Sequence, residues 1–122
     1  VRHGKAASGK WGIARGRAAE ERCLLRARDV VAALPWATGC RKAHGEEDWL
    51  GIDIVVESDV GQLWIQVKSS KRGARRGRAR YEMRGIDVVV VNETRSDWQV
   101  ESDIVAALAA QRALRQSQRR AS

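Results

Sequence analysis

The sequence predicts an α/β domain with the element order α-β-β-β-α-β-β-α. Three observations predict it. A helical apolar period ends at Pro35, a stretch of strict apolar alternation spans residues 51–70, and an unbroken aliphatic run covers Ile86 to Val91. At 122 residues with 43% hydrophobic side chains, the chain is long enough for one domain with a real core, although it contains no Phe.

The stretch to about Trp11 is rich in Gly, Lys and Ala and reads as a flexible arm over residues 1–11. From Arg17 to Leu34, Leu24, Ala27, Val31 and Leu34 recur every three or four residues, which is the signature of one buried helix face, and Pro35 ends the helix. Glu20 lies four residues before Leu24 on that stripe. It is either an inward-edge carboxylate or an acid favoured by the dipole of the first turn. A short extended piece, Trp36 to Lys42, leads into a loop from His44 to Leu50.

Residues 51–70, GIDIVVESDVGQLWIQVKSS, carry the clearest pattern. Ile52, Ile54 and Val56 alternate with Asp53, Val55 and Glu57, and Leu63, Ile65 and Val67 alternate with Trp64, Gln66 and Lys68. A turn at Ser58–Gly61 pairs Ile54 with Ile65, Val56 with Leu63 and Asp53 with Gln66, gathering Asp53, Gln66 and Lys68 on one face. Lys71 to Met83 is basic and interrupted by Gly, with a helix expected over Arg75–Arg84. Ile86 to Val91 suits a strand buried on both faces. Trp98–Val100 reads as a short strand. Ser102 is expected to cap a last helix carrying Ile104, Val105, Leu108 and Leu114, with a flexible tail over residues 117–122.

Charge separates the function classes. With 23 Lys and Arg against 15 Asp and Glu the net charge is +8, which points to an anionic partner, nucleic acid ahead of lipid. No apolar run reaches the ~18–20 residues of a membrane span, and two cysteines make no disulfide framework, so a cytoplasmic setting and no membrane partner are expected. The charges are unevenly placed: His44 to Gln66 holds six acids and no Lys or Arg, while Lys71 to Arg84 holds seven basic residues against Glu82. Carboxylates repel phosphate unless a divalent cation bridges them, so the acidic island is either a metal-binding segment or a solvated face. Cys40 and His44 form half of a zinc pattern, and neither Cys23 nor His3 completes it in sequence. Trp11 and Trp49 stand in loop context and suit base stacking, whereas Trp64 and Trp98 suit sheet packing.

Asp53 followed by Gln66-Val67-Lys68 on the adjoining strand, with Glu20 on the preceding helix and the phrase Glu47-Asp48-Trp49-Leu50-Gly51-Ile52-Asp53, resembles the PD-(D/E)xK nuclease superfamily. Gln in place of the first acid of (D/E)xK is similar to Mrr-type restriction enzymes. The resemblance covers residues 16 to about 91 and implies a restriction-endonuclease-like αβββαβ core, a mixed central sheet flanked by helices. It implies a Mg²⁺-dependent endonuclease, Mn²⁺ substituting, that hydrolyses DNA in restriction, repair or junction resolution, as a homodimer when both strands are cut. By the same resemblance Asp53, Gln66, Lys68 and Glu20 are catalytic, and Asp53, Gln66, Glu20 and the backbone carbonyl of Val67 hold the metal. Gln66 offers a neutral amide oxygen, a poorer Mg²⁺ ligand than a carboxylate. Lys68 either orients or activates the attacking water or stabilises the transition state. Ser69, Ser70, Lys71, Arg72, Arg75, Arg76, Arg78 and Arg80 form the expected phosphate-gripping segment. Three other readings fit parts of this pattern: a ribonuclease of the same fold acting on tRNA, an inactive nucleic-acid-binding module, and a cross-strand Asp53–Lys68 ion pair with no catalytic role.

Overall fold

The computed structural model describes the backbone of residues 2–121 and the side chains of residues 12–121. Val1 and Ser122, the ends of the expected arm and tail, lie outside the described residues. Eight elements follow in order: α1 (Arg2–Ala33), β1 (Ala37–Lys42), α2 (Glu46–Trp49), β2 (Ile54–Ser58), β3 (Gly61–Lys68), α3 (Lys71–Met83), β4 (Ile86–Val90) and α4 (Asp97–Ala121). The chain is therefore α/β, with one mixed four-stranded sheet in the order β1-β2-β3-β4. β1, β2 and β3 form an antiparallel meander, and β4 returns through α3 to lie parallel to β3.

The hairpin register is the expected one, Ile54 opposite Ile65 and Val56 opposite Leu63. Gly61, at φ 99°, takes the left-handed position that closes the turn. Ile54, Val56, Leu63, Ile65 and Val67 join Val89 and Val91 in the main core, under Cys23, Ala27 and Val31 of α1 and Val100, Ile104 and Leu108 of α4. On the other face Ala43, Ile52, Val55 and Ile86 make a smaller cluster with Trp64 and with Tyr81 of α3. Helices thus cover both faces.

Five expectations are corrected. The first helix begins at Arg2 rather than Arg17, because the Ala-, Arg- and Lys-rich stretch contains no Pro and its helix formers outweigh its glycines. α3 spans all of Lys71–Met83, since Ser70 caps it by accepting from the Gly73 N–H at 3.0 Å. Trp98–Val100 is helical, not a strand, and α4 is capped by Ser96 instead of Ser102. Ser96 Oγ accepts from the Gln99 N–H at 3.1 Å while Gln99 Oε1 accepts from the Ser96 N–H at 2.8 Å, a reciprocal capping box that starts the helix nearly two turns early. α4 then runs to Ala121 without the expected tail, burying Val100, Ile104, Leu108 and Gln111 and leaving Val105 and Leu114 exposed.

Gln111 has a structural task. Its Oε1 accepts from the Trp64 N–H at 2.9 Å, and its Nε2 donates to the Trp64 carbonyl at 2.7 Å and to Asp87 at 2.8 Å. One side-chain amide satisfies both backbone groups of a residue in mid-sheet. α1 and α4 are bound by Arg22, which reaches Asp97 and the carbonyls of Asn92 and Arg95, and by Arg26, which reaches Glu101.

Candidate active site

Asp53 stands just ahead of β2, where the strand alternation slips. Ile52 packs with Val55 in the smaller cluster and Ile54 faces the main core, so the two isoleucines flanking Asp53 point to different sides. The backbone is nonetheless held on both sides: Asp53 N–H donates to the Ile65 carbonyl at 2.9 Å and its carbonyl accepts from Ala43 N–H at 2.9 Å. Its carboxylate accepts from the Val67 N–H at 2.7 Å. Val67, expected to contribute a carbonyl, thus meets Asp53 through its N–H.

The Asp53 carboxyl is pushed up to about 7. Burial is the main cause. The Val67 N–H opposes it, the Glu20 carboxylate pushes in the same direction as burial, Lys68 pulls the value down, and Asp48 adds a smaller upward push. Glu20, half-buried beside the inward Ala19 and Cys23 of α1, and Lys68 are therefore both within electrostatic reach of Asp53. Asp48 is a residue that the sequence reading left off the site. Its signals in the sequence were a place in the acidic island and in the phrase Glu47-Asp48-Trp49-Leu50-Gly51-Ile52-Asp53, five residues before Asp53.

Gln66 follows at the next position of the same face as Lys68. It is 9% exposed, and its buried Oε1 has no hydrogen-bond partner. A buried acceptor without a donor costs roughly 1–3 kcal/mol, so this amide oxygen is held unsatisfied on β3. Lys68 is set by aromatic packing: its Nζ lies 5.5 Å from the centre of the Tyr81 ring. Tyr81 is itself wedged between two glycines. A Cβ at Gly51 or at Gly77 would come within 2.4 Å of the ring.

The α2 turn that carries Asp48 is braced. Arg41 forms a two-point pair with Glu47, both bonds 2.7 Å, and holds the Glu47 carboxyl down at about 2. Arg84 donates to the Leu50 carbonyl at 2.9 Å, tying the turn to the end of α3. Trp49 projects from this turn 91% exposed.

The basic segment forms α3. Arg22, Arg26, Arg41, Arg95 and Arg112 each pair with a carboxylate. Lys71, Arg72, Arg75, Arg76, Arg78 and Arg80 are exposed and have no carboxylate partner among the described residues. Ser69 and Ser70 are exposed at the start of α3: the Ser70 hydroxyl oxygen accepts at the helix cap, and the Ser69 backbone carbonyl accepts from Asn92.

Among the described residues, no three His, Cys, Asp or Glu side chains converge closely enough to hold a metal ion by themselves. Burial pushes Cys23 up to about 12 and Cys40 up to about 11, and among the described residues no third His, Cys, Asp or Glu joins them in a metal-sized group. The His3 side chain lies outside those described. Trp64 packs in the sheet as expected, with Arg115 over its ring, whereas Trp98 is 74% exposed on α4.

No helix is long and apolar enough to cross a membrane among the described residues. The chain matches no protein-family model, no curated protein and no solved structure.

Proposed function

We propose that this protein is a metal-dependent endonuclease of restriction-endonuclease-like architecture, with Asp53, Glu20, Gln66 and Lys68 as its active site and DNA as the favoured substrate. The observation that carries the reading is the buried, unsatisfied Gln66 Oε1 on β3, two residues before Lys68, on the same strand whose Val67 N–H holds a half-buried Asp53 that feels two further carboxylates and one lysine. A structural ion pair requires none of these. An α-β-β-β-α-β order, with the meander followed by a parallel strand through α3, supports the architecture, the one-turn α2 being an insertion before β2.

The donor set fits a hard divalent cation such as Mg²⁺ or Mn²⁺. Asp53 and Glu20 offer carboxylate oxygens, Gln66 an amide oxygen that is otherwise without a partner, and Val67 a backbone carbonyl, with phosphate and water oxygens completing the shell. When bound, the cation supplies hydroxide near neutral pH and offsets charge on the phosphate. The chain supplies the rest. Burial and the Glu20 and Asp48 carboxylates make an ionised Asp53 costly without a counter-charge. Lys68, steadied on Tyr81, places an ammonium beside the attacked phosphate, where it stabilises the negative charge that grows as water oxygen bonds to phosphorus and one ester P–O bond breaks. The unpaired cations of α3 begin three residues beyond Lys68 and grip the flanking backbone. A homodimer would supply the second site that cutting both strands requires.

The test is incubation of supercoiled plasmid, branched DNA and tRNA with wild type and Asp53→Ala, in Mg²⁺, Mn²⁺ or EDTA. Metal-dependent cleavage of a DNA substrate, lost in the variant, is the expected result. Cleavage confined to tRNA would move the substrate to RNA. Binding without cleavage under every condition would leave a nucleic-acid-binding module.

A further inference from the structure

A concavity lies at the β4 edge of the sheet, on the α3 face. It measures about 330 Å³, within the range of small-ligand sites. Its floor is apolar, from Val88 and Val90 of β4 and Ala74 of α3. Lys71, Arg75 and Arg78 wall one side and Arg95 the other. The one carboxylate in the lining, Asp103, is already paired with Arg95.

The cations of α3 are divided between two stripes. Lys71, Arg75 and Arg78, spaced i, i+4, i+7, line the cavity. Arg72, Arg76 and Arg80, spaced i, i+4, i+8, do not. Arg95 is fixed from the backbone outward. Its N–H donates to the Asn92 carbonyl at 3.2 Å and its carbonyl accepts from Arg22 at 2.6 Å, while its guanidinium pairs with Asp103. Its buried Nε nevertheless has no acceptor. Four cations against one carboxylate, over a floor of valines, complement a ligand with an anionic head and a flat apolar body.

We propose that this cavity binds a single nucleotide unit, its phosphate held by Lys71, Arg75, Arg78 and Arg95 and its base laid on Val88 and Val90. The choice of a nucleotide rests on the nucleic-acid reading above, but binding here requires neither the metal nor Asp53, so the two stand or fall separately. In a cleaving enzyme the site takes an unpaired or flipped nucleotide of the strand.

The experiment is a titration of ¹⁵N-labelled protein in EDTA with adenosine 5′-monophosphate and, separately, with inorganic phosphate. Saturable amide shifts at Val88, Val90 and Arg95 are expected, with phosphate binding more weakly for want of a base. Arg75→Ala/Arg78→Ala should weaken the mononucleotide by about 10-fold or more, the loss of charge-assisted hydrogen bonds. Arg28→Ala/Lys42→Ala, which removes two exposed cations of α1 and β1 outside this lining, should change it by less than about 2-fold. Thermal melting confirms that both variants fold. Absence of saturable shifts, or equal loss in both variants, would overturn the proposal by reducing the binding to an effect of net charge. Equal affinity for phosphate would overturn the nucleotide assignment.

Discussion

Replacing Asp53 by Asn removes a charge and keeps the oxygen that accepts from the Val67 N–H, so it isolates the electrostatic cost of this carboxylate. The folded-state value of about 7 lies above the ordinary 3.8, which means the folded chain holds a proton that the unfolded chain has released. Stability from this group is therefore full below the ordinary value and is lost as pH rises through about 7. Between about pH 5 and about pH 8, linkage gives a loss of about 2.5 kcal/mol for wild type relative to Asp53→Asn. The carboxylate is only half-buried, and residual water contact lowers this toward about 1 kcal/mol. Urea unfolding of both proteins in EDTA across this range measures it. With Mg²⁺ at about 100 times its dissociation constant, wild type at about pH 8 should recover up to about 2.7 kcal/mol, and the variant should recover little. A wild-type-minus-variant difference that is flat with pH and unmoved by Mg²⁺ would refute both the burial argument and the assignment of Asp53 as a metal ligand.

Gly77→Ala, which in an open helix would stabilise by about 1 kcal/mol, should instead destabilise by about 1–3 kcal/mol because its Cβ meets the Tyr81 ring. Gly16→Ala, with nothing within 4 Å, should show the ordinary gain, and thermal melting compares the two signs. Gln111→Leu should cost about 2–4 kcal/mol, since both backbone groups of Trp64 lose their partner, as read by chemical denaturation. If α3 grips phosphates, Arg72→Ala/Arg76→Ala/Arg80→Ala should lower the salt slope of duplex binding by about 2.7, three contacts at about 0.9 each, as read by anisotropy over a salt series.

The hairpin was legible because the aliphatic rows alternate from Ile54 to Val56 and from Leu63 to Val67 and Gly61 marks the turn, so register and pairing followed from period and turn, whereas the slip that turns Ile52 to the other face had no signal. The start of α4 was not, because Trp98-Gln99-Val100 has strand propensity while the deciding signal is a two-residue exchange of hydrogen bonds between Ser96 and Gln99. Of the site, the placing of Asp53, Gln66 and Lys68 on one hairpin could be read from the chain. What could not is packing: the proximity of Glu20 depends on how α1 lies across the sheet, and that of Asp48 on the pair between Arg41 and Glu47. Burial of Gln66, which leaves its oxygen without a donor, likewise arises only once the faces of the sheet are covered. The wedge of Tyr81 between Gly51 and Gly77 joins residues 26 positions apart (77 − 51) and has no local signature.

The most direct test of the central claim is single-turnover cleavage in Mg²⁺ by wild type, Asp53→Asn and Lys68→Met, with binding of the same substrate measured in EDTA. The account predicts metal-dependent cleavage by wild type, a loss of at least about 100-fold in each variant from removed electrostatic stabilisation, and substrate binding changed by far less. Undiminished cleavage by Asp53→Asn, or no cleavage by a wild-type protein that binds the substrate, would contradict it.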